Sequence, residues 1–183
     1  MDTHVMHDIE TLGTRPGSVI LSIGAVRFCP ITQTVSDEFY VNIDRHVSML
    51  GGLTTDQSTV EWWKRQRPEA WEALEVDPVN PAIAFQRYAD WCRGLNGAMG
   101  DLMVWSHGAT FDTPLLEVAF RAFNISPPWK FWNARCTRTI YDLAGNEPDR
   151  SKGTHHNALD DARNQAEAVL ASYRKLGLAK EHA

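Results

Sequence analysis

The order of apolar patterns along the chain predicts an α/β domain built on a mixed sheet. Three β-type segments come first, between residues 4 and 43, and helical periodicities then alternate with a short apolar run at 102–105. No repeat, low-complexity tract or internal linker divides the 183 residues, so residues 1–183 are expected to form one domain around one continuous sheet.

The first segment, residues 4–10, is short and mixed, and it leads through Thr11-Leu12-Gly13 into a turn-rich stretch. Residues 18–28 are β-branched and apolar, as in a central strand. Pro30-Ile31-Thr32-Gln33 predicts a turn and 35–43 the next strand, which makes an antiparallel trio the economical arrangement. Ser58 with Glu61 is spaced as a capping box for a helix over 59–75. Pro81 suits the first turn of a second helix, with Ala84, Tyr88, Trp91, Cys92 and Leu95 on one stripe. Leu102-Met103-Val104-Trp105 predicts a short buried strand, and Pro114 the first turn of a helix through Phe123. A short helix is expected over 136–144. A last one over 157–175 aligns Leu159, Ala162, Ala166, Val169 and Tyr173.

A hydrophobic fraction of 43% and a charged fraction of 22% are ordinary for a soluble globular protein. The three cysteines, Cys29, Cys92 and Cys136, have no paired spacing, which argues against a disulfide framework and for a reducing compartment. Met1-Asp2-Thr3-His4 lacks a basic region followed by an apolar stretch, so no signal peptide is expected. No run approaches the length of a membrane span, and a cytoplasmic location is expected. A net charge of −5 weighs against wide binding to a nucleic-acid duplex. It leaves open an enzyme with a small footprint, because part of the negative count sits where bound cations would reverse the local field.

That part is a set of acids from separate segments. Asp8 and Glu10 are two apart, so on a strand they project from one face, side by side, as oxygen ligands suited to Mg²⁺ or Mn²⁺. Asp112 follows Phe111 at the end of an apolar run, and His156 and Asp161 lie five apart before the last helix. Taken singly, the strand pair is common on solvated surfaces and Asp112 reads as a helix cap. Asp161 alone reads as a first-turn acid favoured by the helix dipole, and His156 as a surface or capping residue. As a set, four carboxylates and a histidine are what two-metal phosphodiester cleavage requires. His4 and His7 form half of a zinc spacing with no matching partner, and no Walker-type glycine loop is present.

The combination resembles the DnaQ-like exonuclease superfamily in its DEDDh branch. Asp8-Ile9-Glu10-Thr11 is similar to that family's first motif and Ser22-Ile23-Gly24-Ala25-Val26 to the strand that follows. Trp105 through Asp112 is similar to the second motif, with His107 and Gly108 where many members carry other residues. His156-x-Ala158-x-x-Asp161 matches the histidine form of the third. The stretch Thr59 to Gln66 and the form of the second motif look most like the small stand-alone exoribonuclease and phage exonuclease A group. The resemblance implies an RNase H-like mixed sheet flanked by helices and a 3′–5′ exonuclease that releases 5′-mononucleotides from single-stranded RNA or DNA ends.

It further implies that Asp8, Glu10, Asp112 and Asp161 hold two Mg²⁺ or Mn²⁺ about 3.5–4 Å apart. His156 would be the general base, in keeping with an imidazole pKa near ~6.5. Asp160 and His155 are the weaker neighbours of Asp161 and His156. Thr11, Leu12 and Gly13 would flank the terminal nucleotide. Trp62 and Trp63 lie on an amphipathic helix, and two arrangements stay open: both in the core, or one packed inward and the other facing the cleft, where an indole stacks on a base for ~1–3 kcal/mol. Arg138 and Lys152 are candidate phosphate contacts. Two other readings stay open here: a binding or scaffold module of a replication or repair assembly without turnover, and a dinucleotide phosphodiesterase. A homodimer is compatible with the apolar tryptophan-rich helix.

Overall fold

In the computed structural model of the chain, residues 3–95, 101–108, 110–149 and 156–179 are described. Strands β1 (Thr3–Thr11), β2 (Ile20–Cys29) and β3 (Thr34–Asn42) form the antiparallel trio. β4 (Leu102–Ser106) joins the other side of β1 in parallel, and β5 (Ala134–Cys136) lies parallel to β4. The sheet order is β3-β2-β1-β4-β5, so β1 is central and is the strand on which antiparallel and parallel pairing meet.

Among the described residues seven helices accompany the strands: α1 (Arg45–Leu50), α2 (Gln57–Trp63), α3 (Pro68–Leu74), α4 (Pro81–Leu95), α5 (Asp112–Ala122), α6 (Thr137–Ala144) and α7 (Ala158–Lys175). A 3₁₀ turn, Phe131–Asn133, leads into β5. The alternation of β1 divides the interior in two. Val5 and Ile9 join Ala84, Tyr88, Leu115 and Phe120 of α4 and α5 on one face. Met6 joins Val26, Phe28 and Trp105 beneath Ala162, Ala166 and Val169 of α7 on the other. The α7 stripe is the one the sequence predicts, and the helix begins at Asn157, whose side chain accepts from the backbone N–H groups of Leu159 and Asp160.

Three departures from the sequence expectation have local causes. The helix expected over 59–75 is two helices, broken before Pro68, which has no N–H to continue the ladder and holds Arg67 at φ −62, ψ 134. The capping box of Ser58 and Glu61 does not form. Asp56 stands at the N-cap without a side-chain bond to the helix, its Oδ2 accepts from Thr14 N–H at 3.2 Å, and Glu61 accepts from Gln57. Asp112 is the first residue of α5 rather than its cap, a place taken by Phe111. The short elements α1, β5 and the 3₁₀ turn span too few residues to give a periodicity. Cys92 is buried and Cys29 half-buried, and all three cysteines are free thiols. No helix among the described residues is long and apolar enough to cross a membrane.

Candidate active site

The strand period turns Asp8 and Glu10, with Met6, toward α7, while His7 points to the opposite face. β2 carries no side chain at Gly24, directly opposite Asp8, and there the first turn of α7 lies on the sheet. Asp161, in that turn, meets the strand pair: carboxylate oxygens of Asp8, Glu10 and Asp161 lie within 4.8 Å of one another. Asp112 comes from the start of α5, just past the parallel strand β4, and is buried. All four carboxylates line one cavity of about 420 Å³ with His107, Phe111, Arg138, His156 and Gln165 among its walls.

His156 enters this cavity from the residue before the α7 cap, in the left-handed backbone region at φ 62. A non-glycine residue is held there only by its surroundings, at a cost on the order of 1–3 kcal/mol. Its ring meets Trp62 nearly perpendicular at 4.8 Å and Trp63 at 5.9 Å. Trp63 is 4% exposed and donates through Nε1 to the Thr11 carbonyl at 2.8 Å, whereas Trp62 is 37% exposed. The pair therefore divides into one inward and one outward ring. Both border a second, more apolar cavity of about 380 Å³ with Thr11, Thr14 and Phe111, which shares Ile9, Glu10 and Phe111 with the first.

A family model, the 3′–5′ exoribonuclease Rv2179c-like domain, matches residues 3–173. The chain belongs to that family. It is a 3′–5′ exonuclease, as the motif order implies. The exodeoxyribonuclease of Enterobacteria phage T4 is 26% identical over 155 residues, covering 72% of this chain and 67% of that protein. E. coli exonuclease I in complex with a dT13 oligonucleotide superposes with a TM-score of 0.69 over 97% of this chain at 12% identity, and this exonuclease spans 42% of that chain. The nuclease domain of 3′hExo, a DEDDh family member bound to rAMP, gives a TM-score of 0.62 at 13% identity and covers 100% of this chain and 96% of that one. At these identities the structural likeness is one of fold: the RNase H-like mixed sheet flanked by helices that the sequence predicts.

The electrostatics of the exonuclease cavity follow from burying acids together. Burial pushes the Asp8 carboxyl well up, and the charges of Asp112, Glu10 and Asp161 add to it against a bond from Gln165. Burial also raises Glu10 to about 8, with Asp161 and Asp112 contributing. Asp112 rises to about 7 through burial, against the pull of backbone N–H groups at Ile9 and His107 and the charge of Arg138. Converging, mutually repelling carboxylates offer only oxygen donors, and this set fits hard divalent cations, whose charge would restore the ionised state. Outside the ring, Gln165 Nε2 donates to Asp8 Oδ1 at 2.7 Å, across 157 positions of sequence.

Of the residues expected from sequence, Asp8, Glu10, Asp112, Asp161, His156 and Arg138 come together in the first cavity, and Thr11, Trp62 and Trp63 in the second. Leu12 and Gly13 line neither. Leu12 is buried in the core with its N–H donating to Val19 and its carbonyl accepting from Asp56 N–H. Gly13 sits so close to Ser18 that a Cβ there would stand 2.4 Å from the hydroxyl. Asp160 turns to Arg163 at 2.6 Å, which also clasps Glu38 with two bonds, away from the carboxylate ring. Of the tryptophan-rich helix, Trp63 is buried within its own fold and Trp62 is the exposed ring. His4 accepts from Trp105 on one face of β1 and His7 bonds Tyr88 and Thr113 on the other, so the two do not share a metal. Lys152 and His155 lie outside the described residues. Gln165, Asn164 and Asp149 were not anticipated, although Gln165 sits one helical turn after Asp161 on the same face.

Proposed function

We propose that this exonuclease hydrolyses the terminal phosphodiester bond at the 3′ end of single-stranded RNA or DNA and releases a 5′-mononucleotide. The observation that carries this is the convergence of Asp8, Glu10, Asp112 and Asp161 in one cavity, with His156 standing between it and a tryptophan-lined neighbour. Asp8, Glu10, Asp112 and Asp161 would hold two divalent cations, Mg²⁺ or Mn²⁺, which supply Lewis acidity at the phosphate and offset charge on the leaving oxygen.

The protein's own residues perform the remaining work. His156 accepts a proton from the attacking water as the new P–O bond forms and the bond to the 3′ oxygen breaks. The terminal base occupies the second cavity, bordered by Trp62, Trp63 and Phe111, where an aromatic wall stabilises any base through its π-face. Arg138 lines the same cavity and would offer its guanidinium to the phosphate. Gln165 fixes the rotamer of Asp8, as a donor behind a metal ligand does.

Both sugar types belong in the test, because the family is described as exoribonucleolytic and the phage T4 relative as an exodeoxyribonuclease. Asp8→Ala and Asp161→Ala are expected to abolish metal-dependent cleavage while circular dichroism stays native. Full activity in either variant would contradict the proposal.

A further inference from the structure

The strand β5 and the turn before it present a surface that neither cavity uses. Phe131 and Trp132 are 76% and 58% exposed, and their rings meet edge to face at 4.8 Å. Lys130 Nζ lies 5.7 Å from the centre of the Trp132 ring. A neighbouring pair of large aromatic rings left in water costs free energy unless something covers it.

Charge says what covers it. Within a chain of net charge −5, residues 130–138 hold Lys130, Arg135 and Arg138 and no acid. Lys130 is paired with Asp101 at 2.7 Å, which leaves Arg135 on the strand and Arg138 in the first turn of α6 as the further cations of this stretch. Aromatic faces interleaved with arginines are what an unpaired nucleic-acid strand requires, stacking for its bases and positive charge for its phosphates. Pairing with the edge of a second copy is disfavoured, because Arg135 folds back to donate to the Trp132 and Ala134 carbonyls, both at 3.0 Å. The strand also leads into the site. Arg138 lines the carboxylate cavity and stands six positions after Trp132, at most about 20 Å away at the rise of a strand.

We propose that the β5 edge carries the nucleotides upstream of the bound 3′ end, with a base stacked on the Phe131–Trp132 pair and phosphates passing Arg135 and Arg138. The proposal rests on the exonuclease function assigned to the cavity. It makes the enzyme discriminate by strand length, holding long single strands more tightly than fragments that end before the aromatic pair.

Fluorescence anisotropy tests it directly, using 5′-labelled strands of about 3 and about 12 nucleotides in EDTA, where no turnover intervenes. Trp132→Ala and Phe131→Ala both change exposed residues, so their melting temperatures should match the parent. The expected result is a Kd for the long strand raised about tenfold or more, with the short strand within about twofold of the parent. An equal shift at both lengths, or none, would overturn the proposal. A parent dimer that sedimentation shows becoming monomeric in Trp132→Ala would also overturn it, in favour of a second copy as the occupant. If the long strand loses affinity as expected but Mg²⁺ or Mn²⁺ yields no cleavage by the parent, the surface stands and the assigned hydrolysis fails.

Discussion

Gly24 and Ala158 pack backbone on backbone: a Cβ on Gly24 would stand 2.1 Å from the Ala158 carbonyl carbon and 2.4 Å from its oxygen. Because Gly24 is the β-partner of Asp8, this contact sets the height of the first α7 turn above the carboxylate pair. Gly24→Ala is expected to lift that turn, carrying Asp161 and His156 out of register. Over-packing of this kind costs about 1–3 kcal/mol, and a misplacement near 1 Å costs ~100-fold in rate. Urea denaturation and cleavage rates check the two effects separately. A Gly24→Ala variant with the parent's stability and activity would show that the close approach does not position the site.

Asp160 and Asp161 should separate cleanly. Asp160→Asn breaks a partly exposed pair with Arg163 and is expected to cost no more than about 1 kcal/mol, with cleavage close to the parent's. Asp161→Asn removes a carboxylate from the ring and is expected to eliminate metal-dependent turnover. Comparing the two variants in one assay decides between adjacent residues of the same type.

Gln165→Leu keeps the bulk of a buried side chain and removes its bond to Asp8. Loss of a group that orients a metal ligand typically costs 10–100-fold in metal affinity or activity, on an order-of-magnitude scale. Titration with Mn²⁺ should show weakened binding by about that factor, with little change in melting temperature. Unchanged Mn²⁺ affinity would leave Gln165 a packing residue only.

Stability should depend on pH in the sense opposite to that of a salt-bridged acid. Glu10 at about 8 and Asp112 at about 7 in the folded protein lie above the ordinary carboxyl range near ~4 of the unfolded chain. Between those limits the folded state binds more protons. The stabilisation is therefore complete below the unfolded value and is lost as pH rises through the folded ones. In EDTA the melting temperature should fall between pH about 5 and about 8, and Glu10→Gln should remove part of that decline. Saturating Mg²⁺ or Mn²⁺ should flatten it by binding the ionised form. A Glu10→Gln variant with the parent's full decline in EDTA would contradict the buried-acid origin.

Much of this site was legible because its logic is local. The i, i+2 step of Asp8 and Glu10 fixes their shared face on any strand, and the five-residue step from His156 to Asp161 spans a cap and the first turn of one helix. Pro68 was equally visible, yet the apolar pattern of 59–75 outweighed it, and the helix broke there. Leu12 shows the tertiary demands that a motif does not spell out. Motif similarity placed it beside the nucleotide, but its side chain is needed where β1 ends over the core, and its backbone is committed to Val19 and Asp56. Contacts such as Gln165 with Asp8, or Gly24 with Ala158, arise only when segments far apart in sequence are brought together by the sheet. No periodicity within either segment announces them.

The decisive measurement is the degradation of 3′- and 5′-labelled oligonucleotides, RNA and DNA in parallel, in Mg²⁺, Mn²⁺ or EDTA, with His156→Ala alongside the parent. Shortening from the 3′ end that needs the metal, releases 5′-mononucleotides and is lost in His156→Ala is the expected result. Cleavage that persists undiminished in EDTA or in His156→Ala, or that starts from the 5′ end, would contradict the roles given to the carboxylates and the histidine.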